Sequence, residues 1–99
     1  MIIRMVKMVF QEEGIPIFLQ LFEERKATIR SFKGCMHVEL WQSLSGDGTF
    51  FTYSLWENEA ALEAYRQSDF FRETWSQTKA LFREKASAWS MKKESLAEI

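Results

Sequence analysis

Between Gly34 and Phe71 two aromatic-rich alternating runs meet at Gly46-Asp47-Gly48, and the second runs into Trp56-Glu57-Asn58 at the head of a helical pattern. A glycine-bearing link this short joins antiparallel neighbours, so Cys35 to Leu44 and Thr49 to Trp56 are predicted to form a hairpin. Asn58 is a good N-cap, and Glu59 follows in the first turn, where the helix dipole favours a carboxylate. The helix runs through Leu62 and Tyr65. Ser68-Asp69 breaks it and caps a second segment, along which Phe71, Trp75, Thr78 and Phe82 continue at helical spacing.

The flanks complete the pattern. Met1 to Phe10 is rich in Ile, Val and Met, as a strand covered on both faces would be. Gln11 to Gly14 is a turn, and Pro16 suits the first turn of a helix. In that helix Phe18, Leu21, Phe22, Ile29 and Phe32 form one stripe, and Gly34 is its left-handed stop. Ala86 to Lys93 reads as a last strand, with Trp89 and Met91 on one side. The order is β-α-β-β-α-β, an α+β ferredoxin-like arrangement with an antiparallel sheet and its helices on one face. Residues 1–93 are read as one domain and 94–99 as a frayed tail or an arm on a partner.

Helices on one face leave the other open. Met36, Val38, Leu40, Phe51, Tyr53 and Leu55 are expected there, and they are too apolar for water. The chain has 99 residues, of which 15% are aromatic, and nine Phe with four Trp exceed what one small interior holds. A homodimer that pairs two such faces is therefore expected.

With the hairpin centred on its Gly-Asp-Gly turn, His37, Glu39 and Trp41 share a face with Thr52, Ser54 and Trp56. That more polar face is placed under the helices, where Tyr65 and Trp75 close a small aromatic pocket. His37, the one histidine, reads either as a general base supported by Glu39 or as a half-buried sheet histidine bonded to a neighbour. Trp56 reads either as a stacking platform for a flat substrate or as core. The same two readings hold for Tyr65 and Trp75. Cys35 lacks a basic neighbour in sequence and reads as an inert buried thiol.

Several classes are disfavoured. Net charge is −1, which recommends neither nucleic acid nor an anionic membrane as a partner. The βαββαβ order is also that of the RNA-recognition fold. However, TFFTYSLW lacks the basic residue and glycines of an RNA-binding strand, and no Lys or Arg occurs from Gly34 to Tyr65. No run reaches the ~20 apolar residues of a membrane span. MIIRMVKMVF reads as a strand rather than a signal peptide, and one unpaired cysteine suits a reducing cytoplasmic setting. One His, one Cys and scattered carboxylates make no familiar metal set, and no phosphate loop or dinucleotide fingerprint is present.

The opening strand, Phe32-Lys33-Gly34-Cys35, His37-Val38-Glu39-Leu40 and above all FFTYSLWENEAALEAYRQSDFF resemble the antibiotic biosynthesis monooxygenase family of dimeric α/β-barrel proteins, from Met1 to about Lys92. Trp56, Glu57, Ala61, Leu62, Ser68 and Phe71 fall where that family places its Trp-Glu-x-x-x-Ala-Leu signature. The resemblance implies a homodimer with sheets face to face and a pocket between sheet and helices in each subunit. It also implies oxygenation of a small aromatic or quinol-like substrate without a cofactor. His37 and Glu39 would then take a phenolic proton, and Trp41, Thr52, Trp56, Tyr65, Phe71 and Trp75 would surround the ring. Trp56 matches a pocket tryptophan of the polyketide-oxidising branch, whose asparagine and tyrosine are Thr52 and Leu62 here. The haem-degrading branch places a Trp where this chain has Tyr65 and an axial His where it has Trp75, so haem ligation is not implied. The other reading is a non-catalytic small-molecule-binding or stress-related dimer. Isomerisation of a small phosphorylated or keto substrate is a third class open to the same scaffold.

Overall fold

The computed structural model describes residues 1–98. Strand β1 (Ile2–Phe10) leads through a 3-10 turn (Glu12–Gly14) into helix α1 (Ile15–Ser31). Strands β2 (Cys35–Gln42) and β3 (Thr49–Trp56) follow, then helices α2 (Glu59–Arg66) and α3 (Asp69–Lys79) and strand β4 (Phe82–Met91). The sheet order is β2-β3-β1-β4, all neighbours antiparallel, and the sheet is open. This is the ferredoxin-like α+β fold.

Local chemistry accounts for the boundaries. Asn58 Oδ1 accepts the Ala61 N–H at 2.9 Å, and Ser68 Oγ accepts the Phe71 N–H at 3.1 Å, so each helix of the broken pair has its own cap. Gly34 has φ +85, and a Cβ there would collide with that of Ala61, so glycine lets β2 start against α2. The core lies between the sheet and α1. Phe10 stacks on Phe18 at 4.2 Å and meets Phe50 edge-on at 5.7 Å, and these rings are buried.

Strand β4 begins at Phe82, not Ala86, and ends at Met91. Phe82 falls at helical spacing from Thr78, which disguises it as helix, yet α3 stops at Lys79. Its ring instead packs on Phe10 at 5.4 Å and on Trp75 at 5.5 Å, and its backbone pairs with Phe10. Residues 92–98 carry no regular structure. The tail read over 94–99 includes Ile99, which lies outside the described residues.

The faces of β2 are the reverse of those expected, with large consequences. His37 pairs with Leu55, Glu39 with Tyr53 and Trp41 with Phe51, whereas Val38 faces Ser54 and Leu40 faces Thr52. Paired residues share a face, and a pairing centred on a residue sets odd-numbered positions opposite odd-numbered ones. A hairpin centred on Asp47 would put His37 opposite Glu57 and Trp41 opposite Tyr53. The observed pairing is centred one residue earlier, on Gly46, which shifts each partner by two and leaves the faces as that centring has them. The expected grouping with Thr52, Ser54 and Trp56 therefore does not follow from the turn. The connection runs from Ser43 to Gly48. The Ser43 N–H donates to the Thr49 carbonyl at 2.9 Å, and the Phe10 N–H donates to the Gly48 carbonyl at 3.0 Å. Gly48, with φ +82, lies so close to the Phe10 carbonyl that a Cβ would sit 2.8 Å from it. Contact with β1 thus anchors the end of the connection. An irregularity between Cys35 and His37 returns Cys35 to the buried side.

Val38 and Leu40 therefore lie beneath the helices rather than on the open face. His37, Glu39 and Trp41 are on the open face, beside Phe51, Tyr53 and Leu55 and, across β1 and β4, Met5 and Trp89.

Candidate functional site

A cavity of about 390 Å³ lies between the sheet and the helices. Its floor is Val6, Met8, Val38, Thr52, Ser54 and Trp56. Phe18, Leu21 and Phe22 of α1 wall one side and Leu62, Tyr65, Phe71 and Trp75 of α2 and α3 the other, with Ala88 of β4 at its edge. Volume and lining fall in the range of small-molecule sites, mostly apolar with a few polar groups.

An aromatic chain shapes it. Trp56 and Tyr65 stack at 4.9 Å, Tyr65 meets Phe71 edge-on at 5.0 Å, and Phe71 is parallel to Trp75 at 6.0 Å. Trp56 is 1% exposed. Its Nε1–H donates to Ser54 Oγ at 3.0 Å, which fixes the ring plane and leaves no buried donor unpaired. Burial holds the Tyr65 phenol well above its ordinary pKa, with Cys35 adding to the shift, so it stays protonated. Burial likewise raises the Cys35 thiol and keeps it inert.

Thr52, Trp56, Tyr65, Phe71 and Trp75 are thus brought together on one cavity. His37, Glu39 and Trp41 are not, since the register turns them to the opposite sheet face and none of them lines the cavity. There they form their own cluster. His37 Nε2 hydrogen-bonds Glu39 Oε2, Trp41 Nε1–H donates to Glu39 Oε1 at 2.6 Å, and Trp41 stacks on Tyr53 at 5.1 Å. The His37 and Trp41 hydrogen bonds hold the Glu39 carboxyl below its usual pKa.

The expectation missed the cavity's cations. Arg4, Arg25 and Arg66 all line it. Arg25 is already engaged, donating to Thr74 Oγ1 at 2.9 Å, with Glu73 at 3.9 Å and the Phe70 ring below. Arg66 pairs with Glu63 at 3.1 Å. The signal for Arg4 was strand parity: it alternates with Ile2, Val6 and Met8, three apolar residues on the covered face. Among the described residues no group of three or more His, Cys, Asp or Glu is placed to hold a metal ion, and no helix is long and apolar enough to cross a membrane.

Chemically, the site is an aromatic-walled slot with hydroxyls on its floor and guanidinium groups beside it, in an α+β domain of ferredoxin-like topology. The antibiotic biosynthesis monooxygenase model matches residues 1–76, and the chain belongs to that family. Solved structures share the fold. An antibiotic biosynthesis monooxygenase superposes with a TM-score of 0.89 at 21% identity, over 96% of this chain and 100% of that one. A conserved Methanosarcina mazei Go1 protein gives 0.87 at 20% identity, over 94% of this chain and 93% of its own. A Mycobacterium tuberculosis protein gives 0.87 at 14% identity, over 98% of each. No curated protein matches the sequence.

Proposed function

We propose that this chain is a cofactor-independent monooxygenase that takes a small aromatic, quinol-like molecule into the cavity between sheet and helices. The observation that supports this most is the line of Tyr65, Phe71 and Trp75 along one wall, backed by Trp56 in the floor, of a 390 Å³ space in a member of this family. Flat faces such as these hold a ring in one orientation and keep water from it. Such a reaction balances without a further reductant. A ring-activated methylene, or a hydroquinone becoming a hydroxyquinone, gives up two hydrogens and gains one oxygen atom, and the second oxygen leaves with those hydrogens as water. O₂ thereby takes all four electrons from the substrate.

Neither imidazole nor carboxylate lines the cavity, so the proton is assigned to water at its mouth, once the substrate anion is stabilised. His37 and Glu39, expected as the catalytic pair, belong instead to the open face. We assign that face to a second copy of the chain, which would close two open sheets into the barrel.

Oxygen uptake tests the assignment. With a panel of anthrones and hydroquinones, the protein should consume O₂ faster than buffer without added reductant. Ala88→Trp, which sends a ring into the cavity from an exposed strand position, should lower that rate by about 10- to 100-fold. No acceleration with any panel member, or an Ala88→Trp rate equal to the parent's, contradicts it. The former outcome would favour a non-catalytic binding protein of the same fold.

A further inference from the structure

Arg4 is the polar group of the cavity least accounted for by the protein's own contacts. It sits on β1 between Ile2 and Val6, with its backbone opposite Ser54 of β3 and Ser90 of β4. One guanidinium N–H donates to Ser90 Oγ at 3.0 Å, which is the group's one hydrogen bond among the described residues. No carboxylate lies within ion-pairing distance of it there, whereas Arg25 and Arg66 each have one. A half-buried cation beside an apolar slot is costly unless something pays its desolvation, and the tyrosine, threonine and serine side chains around it are neutral.

Arg66, at the end of α2, lines the same cavity. Burial lowers the affinity of Arg4 for its proton, and the Arg66 charge lowers it further, with Glu63 opposing them. An arginine keeps its charge through such shifts. Two guanidinium groups therefore share one end of the slot, with one carboxylate, Glu63, acting on both. An incoming anion would relieve that imbalance. The guanidinium fork matches paired or single anionic oxygens and makes stronger hydrogen bonds to them than to neutral ones.

We propose that Arg4, backed by Arg66, is the specificity determinant of this cavity, binding an ionised oxygen group carried by an aromatic ligand. The proposal rests on the cavity being a small-molecule site, as read above, and adds the ligand's charge. Aromatic acids, or rings whose phenol or enol is ionised, would be selected over neutral rings of the same shape.

Calorimetric titration with 1-naphthoate and 1-naphthamide, near-isosteric and differing in charge, separates the two ideas. The parent protein should bind naphthoate about 10-fold or more tightly, the size of a charged hydrogen bond's advantage over a neutral one. Raising the salt concentration should shrink that preference, a readout that needs no variant. In Arg4→Gln the ratio of the two affinities should fall to about one, and Arg4→Lys should restore part of it; thermal melting of each variant reports whether it folds. Equal binding of both probes by the parent, or an unchanged ratio in folded Arg4→Gln, overturns the anchor and leaves the cavity reading standing. Binding of neither probe overturns both. Failure of oxygen uptake with the naphthoate preference intact overturns the oxygenase reading alone.

Discussion

Replacing Trp56 by alanine is expected to cost about 3–5 kcal/mol of folding stability, the range for deleting a buried large aromatic side chain. Trp56 is one of the largest fully buried side chains, at 1% exposure, packed with Cys35 and Leu62 and stacked by Tyr65. Removing it opens the cavity floor and leaves Ser54 Oγ without its indole partner. For a domain near 100 residues, such a loss lowers the melting temperature by more than about 12 °C. Trp56→Phe keeps a ring against Tyr65 and should lose much less. A thermal melt of the two variants beside the parent checks this. An alanine variant melting within a few degrees of the parent would mean that the Trp56–Tyr65 stack is not what holds α2 to the sheet.

Met5→Glu is expected to turn a dimer into a monomer while leaving the fold intact. Met5 lies in the middle of the open face, paired with Tyr53 on one side and Trp89 on the other. Trp89 is 46% exposed and Trp41 42%, and large apolar side chains grouped on one exposed face mark an interaction surface. A twofold pairing would place Met5 against the partner's equivalent surface, where Tyr53 and Trp89 flank the site and Lys7 of the same face is exposed two residues along the strand. A carboxylate buried there without reaching Lys7 costs about 3–5 kcal/mol, enough to weaken association by more than about 100-fold. Light scattering after size exclusion at low micromolar concentration reads the result. A parent that already runs as a monomer there would contradict the assignment of this face. So would a dimer that survives Met5→Glu unchanged.

The elements and their stops were legible because local chemistry decides them. Asn58 and Ser68 are side-chain caps, Pro16 opens α1, and Gly34 occupies a backbone conformation that few other residues adopt. Half of the cavity was legible for a related reason. Thr52 and Trp56 share parity on β3, and Tyr65, Phe71 and Trp75 follow the helical period. The sheet face of His37, Glu39 and Trp41 was legible from the turn, yet the expectation put them on the wrong one. A pairing centred on Asp47 already groups odd-numbered β2 residues with Phe51, Tyr53 and Leu55, as observed. Grouping them with Thr52, Ser54 and Trp56 followed the polarity of the side chains instead of the parity of the turn. The start of β4 was hidden because Phe82 satisfies helical and strand patterns equally, and only its packing on Phe10 separates them. Arg4 was legible in principle, since its parity with Ile2, Val6 and Met8 turns it inward. A charge within an apolar run is easily taken for a solvated position when its partners lie fifty or more residues away.

The four tryptophans divide evenly between the two faces, with Trp56 and Trp75 lining the cavity and Trp41 and Trp89 on the open side. Indole ¹⁵N–¹H spectra recorded during a titration with 1-naphthoate therefore report where an aromatic ligand binds. A ligand held between sheet and helices shifts the Trp56 and Trp75 signals in proportion to occupancy and leaves those of Trp41 and Trp89 in place. Saturable shifts of Trp41 and Trp89 with Trp56 and Trp75 unmoved would contradict the site, and would move the search to the face that carries His37 and Glu39.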